Sequence, residues 1–154
     1  MKIHKLIKPE HVYLDLDASD VRSALTAAAD VFSPTLGLDA EQVVDALNER
    51  EELGSTSVGD GFAIPHCKTQ GLRQIEIALA RLKEGIFFGG ADEDPVSFLF
   101  VVLSPPDQPA AHLQVLSQIA RVLKRRELRR ELQTAADAEE AVAALNRAAE
   151  EEGL

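Results

Sequence analysis

A single cysteine, Cys67, stands in a chain of 154 residues. One thiol rules out an intrachain disulfide and any metal site built from several thiolates, and it fits a reducing, cytoplasmic setting. Long hydrophobic runs are also missing. The longest, Phe98 to Leu103, is far too short to span a bilayer, and the basic start of the chain meets charged residues and Pro9 where a leader peptide would be apolar. Basic residues are in deficit, 16 against 26 acidic ones, for a net charge of -10. That balance argues against general affinity for nucleic acid or anionic membranes, and favours a partner with a basic face. No Ser/Gly-rich linker and no internal repeat divides the chain, so one domain is expected over residues 1–154.

Familiar catalytic signatures are absent too. No G-x-x-x-x-G-K-[ST] loop offers a P-loop nucleotide site, no H-E-x-x-H or Cys/His cluster offers a metal site, and no G-x-S-x-G elbow offers a serine nucleophile. A metal hydrolase built on two histidines lacks carboxylate ligands at suitable spacing. Neither a cofactor nor a metal is implied.

What is present is ordinary globular material, 45% hydrophobic and 27% charged. Val12 to Leu16 alternates as a half-buried strand. Asp17 or Ser19 can then cap a helix with the apolar stripe Val21, Ala24, Leu25, Ala28 and Phe32, ending at Ser33-Pro34. Asp39, three residues before Gln42, resembles a capping box that opens a second helix. That helix carries Val43, Ala46 and Leu47 on one side and stops near Gly54. Gly54 to Gly61 reads as a glycine-rich loop, and Phe62 to Ile64 as a short strand stopped by Pro65 and ending at His66. Ile75 to Leu82 and Val96 to Leu103 read as strands, the second covered on both faces. Pro109 opens a helix striped by Val115, Leu116, Ile119, Val122 and Leu123, and two more helices follow, around Glu127 to Leu132 and from Asp137 to Ala149. The pattern describes a single-domain α/β sandwich, a mixed β-sheet flanked by helices on both faces.

Three residues stand out. His66 follows a short strand and a proline in a glycine-rich region, where α/β proteins hold reachable functional groups; a capping or surface histidine is the alternative. His112 shares the inward face of Val115, Leu116 and Ile119 in the first helical turn after Pro109. It is open to two readings, a core histidine with a satisfied hydrogen bond or a group beside a bound anion. Arg50 falls on or beside the inward face of its helix, where it needs either a structural ion pair or a phosphate. His4 and His11 lie in a polar stretch and read as solvated, and the basic cluster Arg121, Lys124, Arg125, Arg126, Arg129 and Arg130 reads as a solvated helical face.

Arg50-Glu-Glu-Leu-Gly-Ser-Thr56, Gly61-Phe-Ala-Ile-Pro-His66, and Leu103-Ser-Pro-Pro with Ala111-His112-Leu113 together form a recognisable series. It resembles the enzyme IIA domain of the phosphoenolpyruvate-dependent sugar phosphotransferase system, fructose/mannitol group, including its nitrogen-related regulatory members. The resemblance implies that His66 accepts a phosphoryl group from the phosphocarrier HPr or a relative, that His112 lies beside it, and that Arg50 stands near the phosphate. Ser55 and Thr56 would add hydroxyl contacts or only cap the loop. The phosphoryl group would pass to a separate IIB component for sugar uptake; in a regulatory member, His66 phosphorylation would instead select the target proteins bound. One departure is Cys67, where the family usually has glycine directly after the active histidine.

Overall fold

The structure is a computed structural model that describes residues 7–89 and 94–154; His4 and the basic start of the chain lie outside the described residues. Two largely apolar strands form its centre, β5 (Glu76–Ile86) and β6 (Val96–Ser104), the second rich in valine and phenylalanine, paired antiparallel. Side-chain alternation splits them between two cores. Ile77, Leu79, Phe98, Phe100 and Val102 face one side, and Ala78, Ala80, Leu99, Val101 and Leu103 the other. β1 (Ile7–Leu16) runs parallel to β5 at one edge. On the other side of β6 lie β3 (Phe62–Ala63) and β4 (His66–Lys68), both parallel to it, and β2 (Ser57–Gly59) pairs antiparallel with β3. The sheet is therefore mixed, in the order β1-β5-β6-β3-β2 with β4 also on β6.

Helices cover both faces. α1 (Val21–Phe32) and α2 (Ala40–Leu53) bury Ala24, Leu25, Ala28, Phe32, Val43 and Leu47 against one. α3 (Pro109–Val122), α4 (Arg126–Thr134) and α5 (Ala138–Glu151) bury Val115, Ile119, Leu128, Leu132, Ala141 and Leu145 against the other. Phe32, Phe62, Phe98 and Phe100 are fully buried, each contributing roughly 1.5–3 kcal/mol of apolar transfer. Arg81 reaches from β5 to the C-terminal end of α4, donating to the carbonyls of Leu132 and Ala135 at 2.9 and 2.8 Å, where a cation offsets the helix dipole.

The expected α/β sandwich with a mixed sheet is the observed one, and the corrections are local. The cap of α1 is Asp20, not Asp17 or Ser19: its carboxylate accepts from Ser23 N at 2.7 Å while Ser23 Oγ accepts from Asp20 N at 3.1 Å. Asp39 does cap α2, but its carboxylate accepts from Glu41 N rather than closing a box with Gln42. α1 does end where Ser33-Pro34 marks it, at Phe32, and the chain then continues as a 3-10 turn, Ser33–Leu36. The glycine-rich loop holds a hairpin whose two-residue turn is Asp60-Gly61, with φ of 56° and 85°. Two consecutive left-handed residues are what a tight primed hairpin turn requires, and Asp-Gly supplies them. His11 is buried, not solvated, at 5% exposure, because β1 starts at Ile7 and carries it against the Phe32 ring.

Candidate functional site

His66 opens β4 instead of ending the preceding strand. Pro65 interrupts the ladder between β3 and β4, yet its carbonyl still accepts from Val102 N, so the chain stays on β6 through the break. The register then places His66 beside Val102 and Cys67 beside Leu103. β6 ends at Ser104, whose hydroxyl lies 2.5 Å from His112 Nδ1 in the first turn of α3. Both imidazoles are thereby tied to one strand, and their rings lie 5.4 Å apart, centroid to centroid, tilted by 55°.

The hydrogen bonds of His66 fix its tautomer. Nδ1 lies 2.6 Å from the carbonyl oxygen of Ile64, which can only accept, so Nδ1 carries the proton. Nε2 lies 3.2 Å from Arg50 Nε, which can only donate, so Nε2 presents its lone pair. Arg50 sits in the last turn of α2, and its Nη1 donates to the Gly54 carbonyl at 3.0 Å, bracing the guanidinium against the helix end. Burial lowers the pKa of His66 from its ordinary value; the Ile64 carbonyl works against this and the Arg50 charge with it. Burial likewise lowers the pKa of His112, helped by the repulsion that a protonated His66 would exert and by the charge of Lys68. Both rings are thus held neutral at pH 7.

Arg50, His66 and His112 line a single open cleft of about 720 Å³, together with Leu53, Cys67 and Lys68. The three residues singled out in the sequence are therefore brought together. Ser55 and Thr56 lie outside that lining. Thr56 is buried, its Oγ1 donating to Glu51 Oε1 and its amide to Glu51 Oε2, both at 2.7 Å, and Ser55 Oγ accepts from Ser57 N at 3.1 Å. Cys67 is buried in a strand with no positive φ, so a side chain fits there without backbone strain, and desolvation pushes its thiol up to about 12. Among the described residues, no group of three or more His, Cys, Asp or Glu could hold a metal ion.

Sequence reasoning missed the supporting groups. Ser104 stood inside a quoted motif, and its role needed the knowledge that β6 ends there. The Ile64 carbonyl and the Glu51 carboxylate leave no mark in a residue pattern. Around the cleft and the hairpin, Phe62 is buried and stacked on Phe98, while Leu53, Val58 and Leu113 are 84%, 49% and 67% exposed.

Comparison with known proteins shows the family and the fold. The chain is 35% identical over 139 residues to a nitrogen regulatory protein of Bradyrhizobium diazoefficiens, covering 90% of this chain and 91% of that one. The crystal structure of nitrogen regulatory protein IIA-Ntr from Neisseria meningitidis superposes with a TM-score of 0.86 at 33% identity, covering 93% of this chain and 98% of that one. The same fold occurs in the complex of enzyme IIAMTL and phosphorylated enzyme IIBMTL from Escherichia coli, with a TM-score of 0.77 at 20% identity and coverage of 92% and 99%. Residues 5–148 match the family described as phosphoenolpyruvate-dependent sugar phosphotransferase system, EIIA 2, and the chain belongs to that family.

Proposed function

We propose that this protein is a phosphoryl carrier that accepts a phosphoryl group on Nε2 of His66 from the phosphohistidine of an HPr-type protein. The observation that carries the reading is the orientation of His66, with Nδ1–H engaged by the Ile64 carbonyl and the lone pair of Nε2 turned to Arg50. In the transfer, the Nε2 lone pair forms the new P–N bond as the donor's P–N bond breaks and its electron pair returns to the donor nitrogen. The proton stays on Nδ1, so the ring needs no general base. Arg50 Nε gives up Nε2 to the incoming group and turns its fork to the phosphoryl oxygens, offsetting their charge. His112, neutral and beside His66, hydrogen-bonds a phosphoryl oxygen or the ring edge.

In the transport reading, phospho-His66 passes its group to a IIB component; the likeness of the fold to a mannitol IIA found in complex with phosphorylated IIB supports that partner. A second reading is favoured by the likeness over nearly the whole chain to nitrogen regulatory proteins. In it, the phosphoryl group on His66 changes the charge of the cleft and so selects which target proteins bind. Incubation with phosphoenolpyruvate, enzyme I and HPr, followed by intact mass, tests the part common to both. One acid-labile, base-stable phosphate is expected, absent in His66→Ala; undiminished labelling of that variant overturns the assignment.

A further inference from the structure

The basic cluster of the second half is not one solvated face. Arg125 is bound by Glu151 and Glu152 at 2.6 and 2.7 Å, Arg121 donates to the Glu152 carbonyl at 2.9 Å, and Arg130 approaches Glu127. Among the described residues, Lys124, Arg126 and Arg129 have no ion pair and donate no side-chain hydrogen bond. These three line one cavity of about 270 Å³, between the Asp60-Gly61 turn and the start of α4. Arg129 Nε is buried there without a hydrogen-bond partner. The guanidinium lies against the turn, with Nη2 3.1 Å from where a Cβ on Gly61 would stand, a tight contact that glycine relieves at a position whose φ of 85° also favours it.

Burying a guanidinium donor unpaired is costly, and the cost grows with like charges beside it. In a chain of net charge -10 with 26 acidic residues, Asp60 is the one acid among the described residues lining this cavity, and it forms no ion pair with them. The amides opening α4 add to the positive field, because Arg125 before them provides no side-chain cap. An anion relieves all of these at once. The cavity lies just below the range of about 300–1,000 Å³ found for drug-sized sites, room for a phosphoryl group on a short carbon skeleton.

We propose that this cavity binds a small phosphorylated or multiply anionic molecule through Lys124, Arg126 and Arg129. The site is separate from the His66 cleft and does not depend on phosphoryl transfer there. Binding to it would brace the Asp60-Gly61 turn, whose Gly61 carbonyl accepts from Ser97 N and Phe98 N at 2.8 and 3.1 Å on β6, the strand against which β4 and His66 pair.

The test is an amide-resolved NMR titration with inorganic phosphate, then pyrophosphate, at constant ionic strength. Saturable shifts are expected at Gly61, Arg126 and Arg129. Affinity should fall roughly tenfold or more in the double variant Lys124→Gln, Arg126→Gln, since charge-assisted hydrogen bonds are the strong ones. Both side chains are exposed, so the double variant should fold as the parent does. Shifts that never saturate, an affinity unchanged in the double variant, or shifts confined to the cleft of Arg50, His66 and His112 overturn the proposal. Because binding alone is read, that failure leaves the carrier reading of His66 standing.

Discussion

Ser104 and His112, eight residues apart, meet across the turn at Pro105 and Pro106 that leads to Pro109 at the start of α3, hydroxyl to Nδ1 at 2.5 Å, and both are buried. A buried imidazole nitrogen that loses its partner retains its desolvation cost. Ser104→Ala should therefore lower stability by about 1–3 kcal/mol. It should also slow phosphoryl acceptance, because the His112 ring is freed to turn. Urea unfolding and single-turnover transfer check the two effects. A variant as stable and as fast as the parent would show that the hydroxyl contributes nothing.

Arg50 makes two bonds from two different nitrogens, Nε to His66 and Nη1 to the Gly54 carbonyl. A lysine ammonium cannot hold both points or meet two phosphoryl oxygens in one plane. Arg50→Lys is expected to slow transfer roughly a hundredfold, the scale for losing a placed donor to developing charge. Rapid-quench transfer from phospho-HPr measures this. Equal rates for Lys and Arg would mean that generic positive charge suffices.

Burial lowers the pKa of His11, His66 and His112 in the fold. A base with a depressed native pKa binds its proton more readily when unfolded. Stability is then fully present above the unfolded histidine value of about 6.5 and declines as pH falls from there toward the native values. Urea midpoints at successive pH values between neutrality and mild acid should fall, with a shallower slope in His11→Gln. Phosphoryl acceptance should hold to a lower pH than a free imidazole would allow, since His66 stays neutral and nucleophilic. A flat stability profile over that window would contradict the shifts.

Leu53 lines the cleft of His66 and is 84% exposed, while Leu113, 67% exposed, follows His112 on α3. A phosphoryl donor must dock there and leave quickly, which favours modest apolar contact with charge at the rim. Leu53→Ser should raise the KM for the donor several-fold with little change in kcat or in stability. Raising salt should slow the second-order step several-fold for a donor with a basic face, because screening acts on long-range encounter. Stopped-flow transfer across salt concentrations separates this from purely apolar docking, in which the rate stays flat or rises.

The helices were legible where apolar stripes and caps coincide, as with Asp39 and Val43. The cap of α1 was not, because Ser23 takes the place of the usual Glu or Gln and Asp17, Ser19 and Asp20 compete as candidates. The β2–β3 hairpin was hidden by its three-residue strand, although Asp60-Gly61 carried the turn signal. His66, His112 and Arg50 were each visible by position, and their meeting in one cleft follows from the register of β4 on β6, which no single-sequence pattern encodes. His11 was misread because a strand beginning at Ile7 shows no clean alternation through Lys8, Pro9 and Glu10.

β6 carries the positions of both imidazoles, one by ladder pairing at Val102 and the other through its last hydroxyl. Their spacing is thus a property of strand phase, not of the loops that lead to each. Lengthening the connection between Lys68 and Glu76 moves neither ring, whereas adding one residue between Pro65 and His66 swings the first imidazole to the opposite face of the sheet and leaves the second where it was. Drift in chain length is tolerated on one side of β4 and forbidden on the other, and the boundary between the two is the proline that breaks the ladder.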